Sequence, residues 1–286
     1  MLQRILIICL FLFCAGCGKK PAPVQSKSLL LVSIAPYRFL VERIAGSDFE
    51  VKTVVPAAAN PHAFEPTARQ VQGISEGLVW FRIGEPFEKK VLSILEKRSE
   101  GLVVQDLREG VELIEDHLGC KGCSADHLDR HIWLSPKLAE VQAALIEKTL
   151  SEKFPAKKEE FSKNLSLLRG ELKALDVEIR AILGPVKKRT LLVSHPAFGY
   201  FCKEYGLEQL SVEQEGKEPR PRHLEEILQR AVVESMEVAL AMPQYNNKGA
   251  QLIAERLHMS VRMIDPYSPD YINTMRRLAH LIADAN

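Results

Sequence analysis

The chain has 286 residues, 46% of them hydrophobic and 26% charged, with 38 basic side chains against 37 acidic ones. That is enough apolar material for one or two cores, and two domains are the expectation. So even a charge balance leaves no basic footprint for nucleic acid, which is excluded as a partner.

At the N-terminus Arg4 precedes an apolar run at 5–13, then Cys14, Ala15, Gly16 and Cys17, then Gly18, Lys19, Lys20 and Pro21. A spanning helix needs roughly 20 apolar residues, so this shorter run reads as a signal-peptide core. The small residues before Cys17 resemble a bacterial lipobox, which implies cleavage before Cys17 and lipid attachment to its sulfur. An ordinary secretory cleavage nearby is the alternative. Residues 1–16 are then a signal peptide and 17–28 a lipid-anchored tether, flexible in its Pro-, Lys- and Ser-rich composition. Several acyl chains would hold the protein stably on a membrane. It is expected outside the cytoplasm, in the periplasm or at the cell surface.

Residues 29–34 form a short apolar run of the kind found in buried parallel strands. Helical spacing follows at 37–44, with Phe39, Leu40 and Ile44 on one face and Gly46 as the stop. A strand at 51–55 ends at Pro56, and His62 follows it; another at 78–83 ends at Gly84. Later runs at 191–194, 238–242 and 261–264 lead to His195, Pro243 and Asp265. Strands alternating with helical segments in both halves predict an α/β fold of two lobes with parallel-type sheets flanked by helices. Ligands of such sheets bind beyond the strand ends, which is where His62, His195 and Asp265 stand.

Between the halves Phe161, Leu165, Leu168, Leu172, Leu175, Ile179 and Ile182 alternate spacings of four and three, bracketed by Pro155 and Pro185. The pattern predicts one long helix over 156–184, about 42 Å long, between an N-terminal lobe at 29–155 and a C-terminal one at 185–286. A coiled-coil dimer is the competing reading of the same seam; a monomer is preferred, since Gly170 interrupts the seam.

His117, Cys120, Cys123 and His127 lie within eleven residues, two thiols and two imidazoles with a two-residue gap between the cysteines. Thiolate and imidazole are zinc or copper ligands, so an auxiliary metal site is one reading. A disulfide between Cys120 and Cys123 is the other, because close cysteines outside the cytoplasm oxidise. Cys202, beside Phe201, reads as a buried thiol.

Three histidines stand in proline-marked segments: Asn60 Pro61 His62 with Phe64 Glu65 Pro66; His131 with Trp133 Leu134 Ser135 Pro136; and Ser194 His195 Pro196 with Ala197 Phe198 Gly199 Tyr200 Phe201. Asp265 Pro266 makes a fourth block. Ligands so far apart must be brought together by the fold. These four blocks resemble, in order, those of the metal-binding solute-binding lipoproteins of zinc and manganese ABC importers, the periplasmic zinc-binding protein family. The resemblance implies two lobes joined by a long helix, an ABC permease as partner, and His62, His131, His195 and Asp265 as metal ligands. It also makes 115–127 a shortened form of the family's histidine-rich loop. Two positions depart from the pattern: Arg130 stands where a proline usually precedes the second histidine, and Pro196 where an aspartate usually follows the third. Pro196 cannot fix an imidazole tautomer as an acidic neighbour would, so His195 has the least local support. Glu65 reads as loop scaffold and Glu213 and Glu215 as a solvated loop.

Three imidazoles and a carboxylate suit tetrahedral zinc, while manganese or iron(II) are the alternatives and fit better with more oxygen ligands. The expected function is capture of zinc and its delivery to the permease, without enzymatic activity. A zinc hydrolase would want a general base near an open coordination position, and no His-Glu-x-x-His pair occurs. A surface adhesin lipoprotein fits the anchor but leaves the four blocks unexplained.

Overall fold

The computed structural model describes residues 27–95, 101–115, 128–213 and 219–285. Cys17, most of the tether and the segment with His117, Cys120, Cys123 and His127 lie outside the described residues.

In the first half, strands β1 (Ser28–Val32), β2 (Phe49–Thr53), β3 (Val79–Arg82) and β4 (Val103–Asp106) pair in the order β2-β1-β3-β4. In the second, β5 (Thr190–Val193), β6 (Glu208–Ser211), β7 (Val238–Ala241) and β8 (Ser260–Met263) repeat that order as β6-β5-β7-β8. All pairs are parallel, with Leu30 facing both Val51 and Val79, and Leu192 facing both Leu210 and Ala239. The expected two α/β lobes are therefore present. β4 and β6 are edge strands of four residues. Neither is a continuous apolar run, which is why sequence reading passes over both.

Helices cover the sheets and close on each other. In α1 (Ala35–Ala45), Tyr37, Leu40, Val41 and Ile44 are buried, Pro36 occupies the first turn where its missing N–H costs nothing, and Gly46 ends the helix at φ 76°. Helices α2 (Ala68–Ser75) and α3 (Pro86–Leu95) complete the flanks of the first sheet, the former opened by a Thr67–Gln70 capping box. α4 (Pro136–Lys153) is capped by Ser135, whose hydroxyl accepts from the Leu138 N–H.

The long helix α5 (Lys158–Leu183) buries Phe161, Leu165, Leu168, Leu172, Leu175, Ile179 and Leu183. Leu183, not Ile182, finishes the seam. This face packs on α1, on α4 and on α9 (Tyr271–Ala283), within the chain itself. A seam covered this way is unavailable for a coiled coil between copies.

The second sheet carries α6 (Gly199–Tyr205), α7 (Pro221–Val233) and α8 (Lys248–Leu257), with Ile227, Leu228, Ala250 and Ile253 packed against Leu192 and Ala239. Cys202 is buried as expected, and burial pushes its thiol pKa well up. No helix among the described residues is long and apolar enough to cross a membrane.

Side chains from one half reach backbone of the other. The Trp133 indole donates to the Pro266 carbonyl at 2.9 Å, Tyr271 donates to the Trp133 carbonyl at 2.8 Å, and Tyr200 donates to the Asp129 carbonyl at 2.8 Å. Arg276 on α9 grips Glu178 on α5 with two hydrogen bonds of 2.6 and 2.9 Å.

Candidate metal centre

In each sheet the strand order reverses between the two central strands, β1 and β3 or β5 and β7, and ligand crevices of open α/β sheets form at such reversals. The loops beyond these strand ends supply the cluster. After β2, Asn60 Oδ1 accepts from the His62 N–H at 2.9 Å and fixes a one-turn helix over Pro61–Ala63 that carries His62. His131 precedes a similar turn at Ile132–Leu134, and His195 follows β5 directly.

Three ring nitrogens converge. Nε2 of His131 lies 3.2 Å from Nε2 of His62 and 3.3 Å from Nε2 of His195. Zinc–nitrogen bonds of 2.0–2.1 Å at tetrahedral angles would set neighbouring donors about 3.3–3.4 Å apart. The measured separations fit that requirement, and these three residues form a group in which one atom of each can reach a common ion. His131 and His195 are 5% exposed, whereas the His62 side chain keeps 26% of its surface in solvent. The cluster is therefore closed on the inside and open along His62.

Each imidazole is aimed by a carboxylate on its far nitrogen. Glu85, fully buried just after β3, places Oε2 2.9 Å from His62 Nδ1. Asp129 Oδ1 is 2.7 Å from His131 Nδ1 and also accepts the His131 backbone N–H at 2.8 Å. Glu213 Oε2, beyond β6, is 2.9 Å from His195 Nδ1. A carboxylate there accepts the Nδ1 proton and leaves Nε2 as a lone pair pointing inward, the form a metal needs. Glu213 is thus no solvated loop residue, and it supplies the acidic support that Pro196 denies His195. Asp129 was visible in the sequence two residues before His131. Glu85 and Glu213 carry no local signal because their partners are distant in the chain.

Supporting groups hold these carboxylates in turn. Glu88 on α3 accepts from the N–H groups of Ile83, Gly84 and Glu85 at 3.0, 2.6 and 3.0 Å and from the Ser33 hydroxyl, so it shapes the loop that presents Glu85. Burial pushes its pKa up to about 7 against the pull of those donors. At Gly199 an added Cβ would meet Asp129 Oδ2 at 2.6 Å, so the bare backbone is what admits the carboxylate behind His131.

Charge follows from the same contacts. Burial opposes protonation of His62, yet the Glu85 carboxylate outweighs it and raises the imidazole pKa. Burial together with the neighbouring His131 and His62 lowers that of His195 well below its ordinary value. Burial alone would raise Glu85, but its pairing with His62 lowers it. Replacing Glu213 by glutamine is expected to weaken zinc affinity at least about tenfold, within the 10–100-fold range for such partners. Competition against a chromophoric chelator measures it, and unchanged affinity would make Glu213 a bystander.

Asp265 does not join the three-histidine group. Its Oδ1 accepts instead from Gln244 Nε2 at 2.8 Å and from the Tyr267 N–H at 2.9 Å. The side chains that reach the cluster from these loops are Tyr245 and Tyr267, which sequence reading passes over. Tyr245 stacks on the His195 ring with centroids 3.8 Å apart, and the Tyr267 hydroxyl lies 3.5 Å from His131 Nε2.

Residues 30–285 match the family described as zinc-uptake complex component A, periplasmic. A crystal structure of ZnuA superposes with a TM-score of 0.85 at 30% identity, covering 91% of this chain and 99% of that one. A Chlamydia trachomatis protein named for metal binding is 29% identical over 283 residues, 99% of this chain and all of its own. The high-affinity zinc uptake system protein ZnuA of Bacillus subtilis is 27% identical across 71% of this chain and 67% of its own length. The chain therefore belongs to the ZnuA family of solute-binding proteins, which capture metal for ABC transport.

Proposed function

We propose that this protein binds zinc in preference to manganese or iron(II), through His62 and His131 from the lobe at 29–155 and His195 from the lobe at 185–286, and passes it to an ABC permease. The observation that carries the proposal is the convergence of three Nε2 atoms, each imidazole backed by its own carboxylate. A nitrogen-rich set of donors favours zinc over manganese in the intrinsic affinity order. Zinc uptake by the B. subtilis relative points the same way. The role is transport and not catalysis. We place the protein outside the cytoplasm as a monomer, held to a membrane by lipid on Cys17. The sequence-expected ligand Asp265 belongs to this proposal only as a residue that would have to leave its present partners, Gln244 and the Tyr267 N–H, to reach the ion.

Competition titration of the full chain with zinc, manganese and iron(II) between pH 7.5 and 5 tests this. Zinc is expected to win, and its affinity to fall as the pH drops. His62 must be neutral to bind, and its raised pKa lets protons compete at higher pH than they would for an ordinary imidazole. His195, with its lowered pKa, adds competition only at more acidic pH. A preference for manganese, or a flat pH profile, would overturn the proposal.

A further inference from the structure

The loops after β7 and β8 bring two tyrosines against the histidine cluster. Tyr245 lies on the His195 imidazole with ring planes 12° from parallel. Its hydroxyl is 2.7 Å from that of Tyr267, which in turn is 3.5 Å from His131 Nε2. Two clamps fix Tyr267. Asp265 accepts its backbone N–H, and Trp133 grips the preceding Pro266 carbonyl while packing its ring against Tyr267 at 5.3 Å between centroids. The acidic residue of this loop therefore holds the turn, and a phenol is what the turn presents to the cluster. A phenol hydroxyl is a hydrogen-bond donor, so each of the two can donate.

Resting on the metal-capture reading above, we infer that Tyr267, backed by Tyr245, is a specificity-determining residue: its hydroxyl hydrogen-bonds a small exchangeable fourth ligand, a water or a small anion, on an ion held by three histidines. If Tyr267 donates towards the cluster, its oxygen is left to accept, and Tyr245 is the neighbour placed to donate to it. With Asp129 accepting the proton of Nδ1, Nε2 of His131 offers a lone pair, so the face that Tyr267 approaches is one that receives an O–H donor or a cation. A donor placed there stabilises an oxygen ligand or an anion on the ion. Three neutral nitrogens and one exchangeable ligand favour zinc or cobalt(II); manganese would want carboxylates in direct contact.

The test uses the full chain and its Tyr267→Phe, Asp265→Asn and His131→Ala variants, titrated with zinc and, separately, with cobalt(II), whose visible spectrum reports its ligands. In the parent, azide should alter the cobalt spectrum by replacing the fourth ligand. In Tyr267→Phe, which keeps the ring, zinc affinity should fall roughly tenfold or more, as for loss of a hydrogen bond to a charged group, and azide should bind the cobalt form more weakly. Asp265→Asn keeps an oxygen acceptor for the turn and should stay within about threefold of the parent, well short of the loss of a ligand. A cobalt spectrum indifferent to azide, an unaltered Tyr267→Phe, or a hundredfold loss in Asp265→Asn would overturn the inference and restore a carboxylate as the fourth ligand. Parent protein that binds no better than His131→Ala would instead overturn the metal-capture reading on which it rests.

Discussion

His131→Ala is expected to lower zinc affinity by more than a hundredfold, beyond the 10–100-fold cost of losing a carboxylate partner alone. His131 is the hub of the cluster, with its Nε2 3.2 and 3.3 Å from the other two nitrogens, so its loss removes both close pairs at once. The substitution also leaves the Asp129 carboxylate, 4% exposed, with one fewer donor. A loss of folding can be told apart from a loss of binding by thermal unfolding with and without zinc. At a hundred times its Kd, zinc should stabilise the parent by about 2.7 kcal/mol. The variant should still unfold cooperatively and gain nothing from zinc. Zinc stabilisation equal to the parent's would place the receptor site elsewhere.

Trp133→Ala should lower the free energy of unfolding by about 3–5 kcal/mol, the range for truncating a large buried aromatic. The indole is fully buried, it meets Tyr37 edge-on at 6.2 Å, and it spans the two halves through its bond to the Pro266 carbonyl. Denaturant unfolding of the metal-free chain measures the loss. Trp133→Phe separates its components: it retains most of the apolar contact and gives up the hydrogen bond, for a net cost of about 1 kcal/mol. A near-neutral Trp133→Ala would mean that the two halves are held together without this anchor.

What the sequence discloses follows from how local each signal is. α5 is legible because its partner helices impose a three-four repeat on its own residues from Phe161 to Ile179. The central strands β1, β3, β5 and β7 are legible because burial on both faces makes them continuously apolar. The edge strand β6, with Glu208, Gln209 and Ser211, has solvent to satisfy and shows no such run. At the site, the histidines announce themselves through their neighbours Pro61, Trp133 and Phe198. Glu85 and Glu213 do not, because each acts across space on an imidazole 23 or 18 residues away. Asp265 differs between sequence pattern and structure for a related reason: whether a carboxylate at a loop faces an ion or its own turn depends on Gln244 and the Tyr267 N–H, which donate across space and leave no mark in the local sequence.

The donors are divided unequally, with His62 and His131 on one side of the long helix in the chain and His195 alone on the other. On the metal-capture reading proposed above, two of the three nitrogens would come from the first half and one from the second, so a complete set of donors needs both halves. On that same reading, His195 is the one nitrogen that would tie metal capture to the second half of the chain.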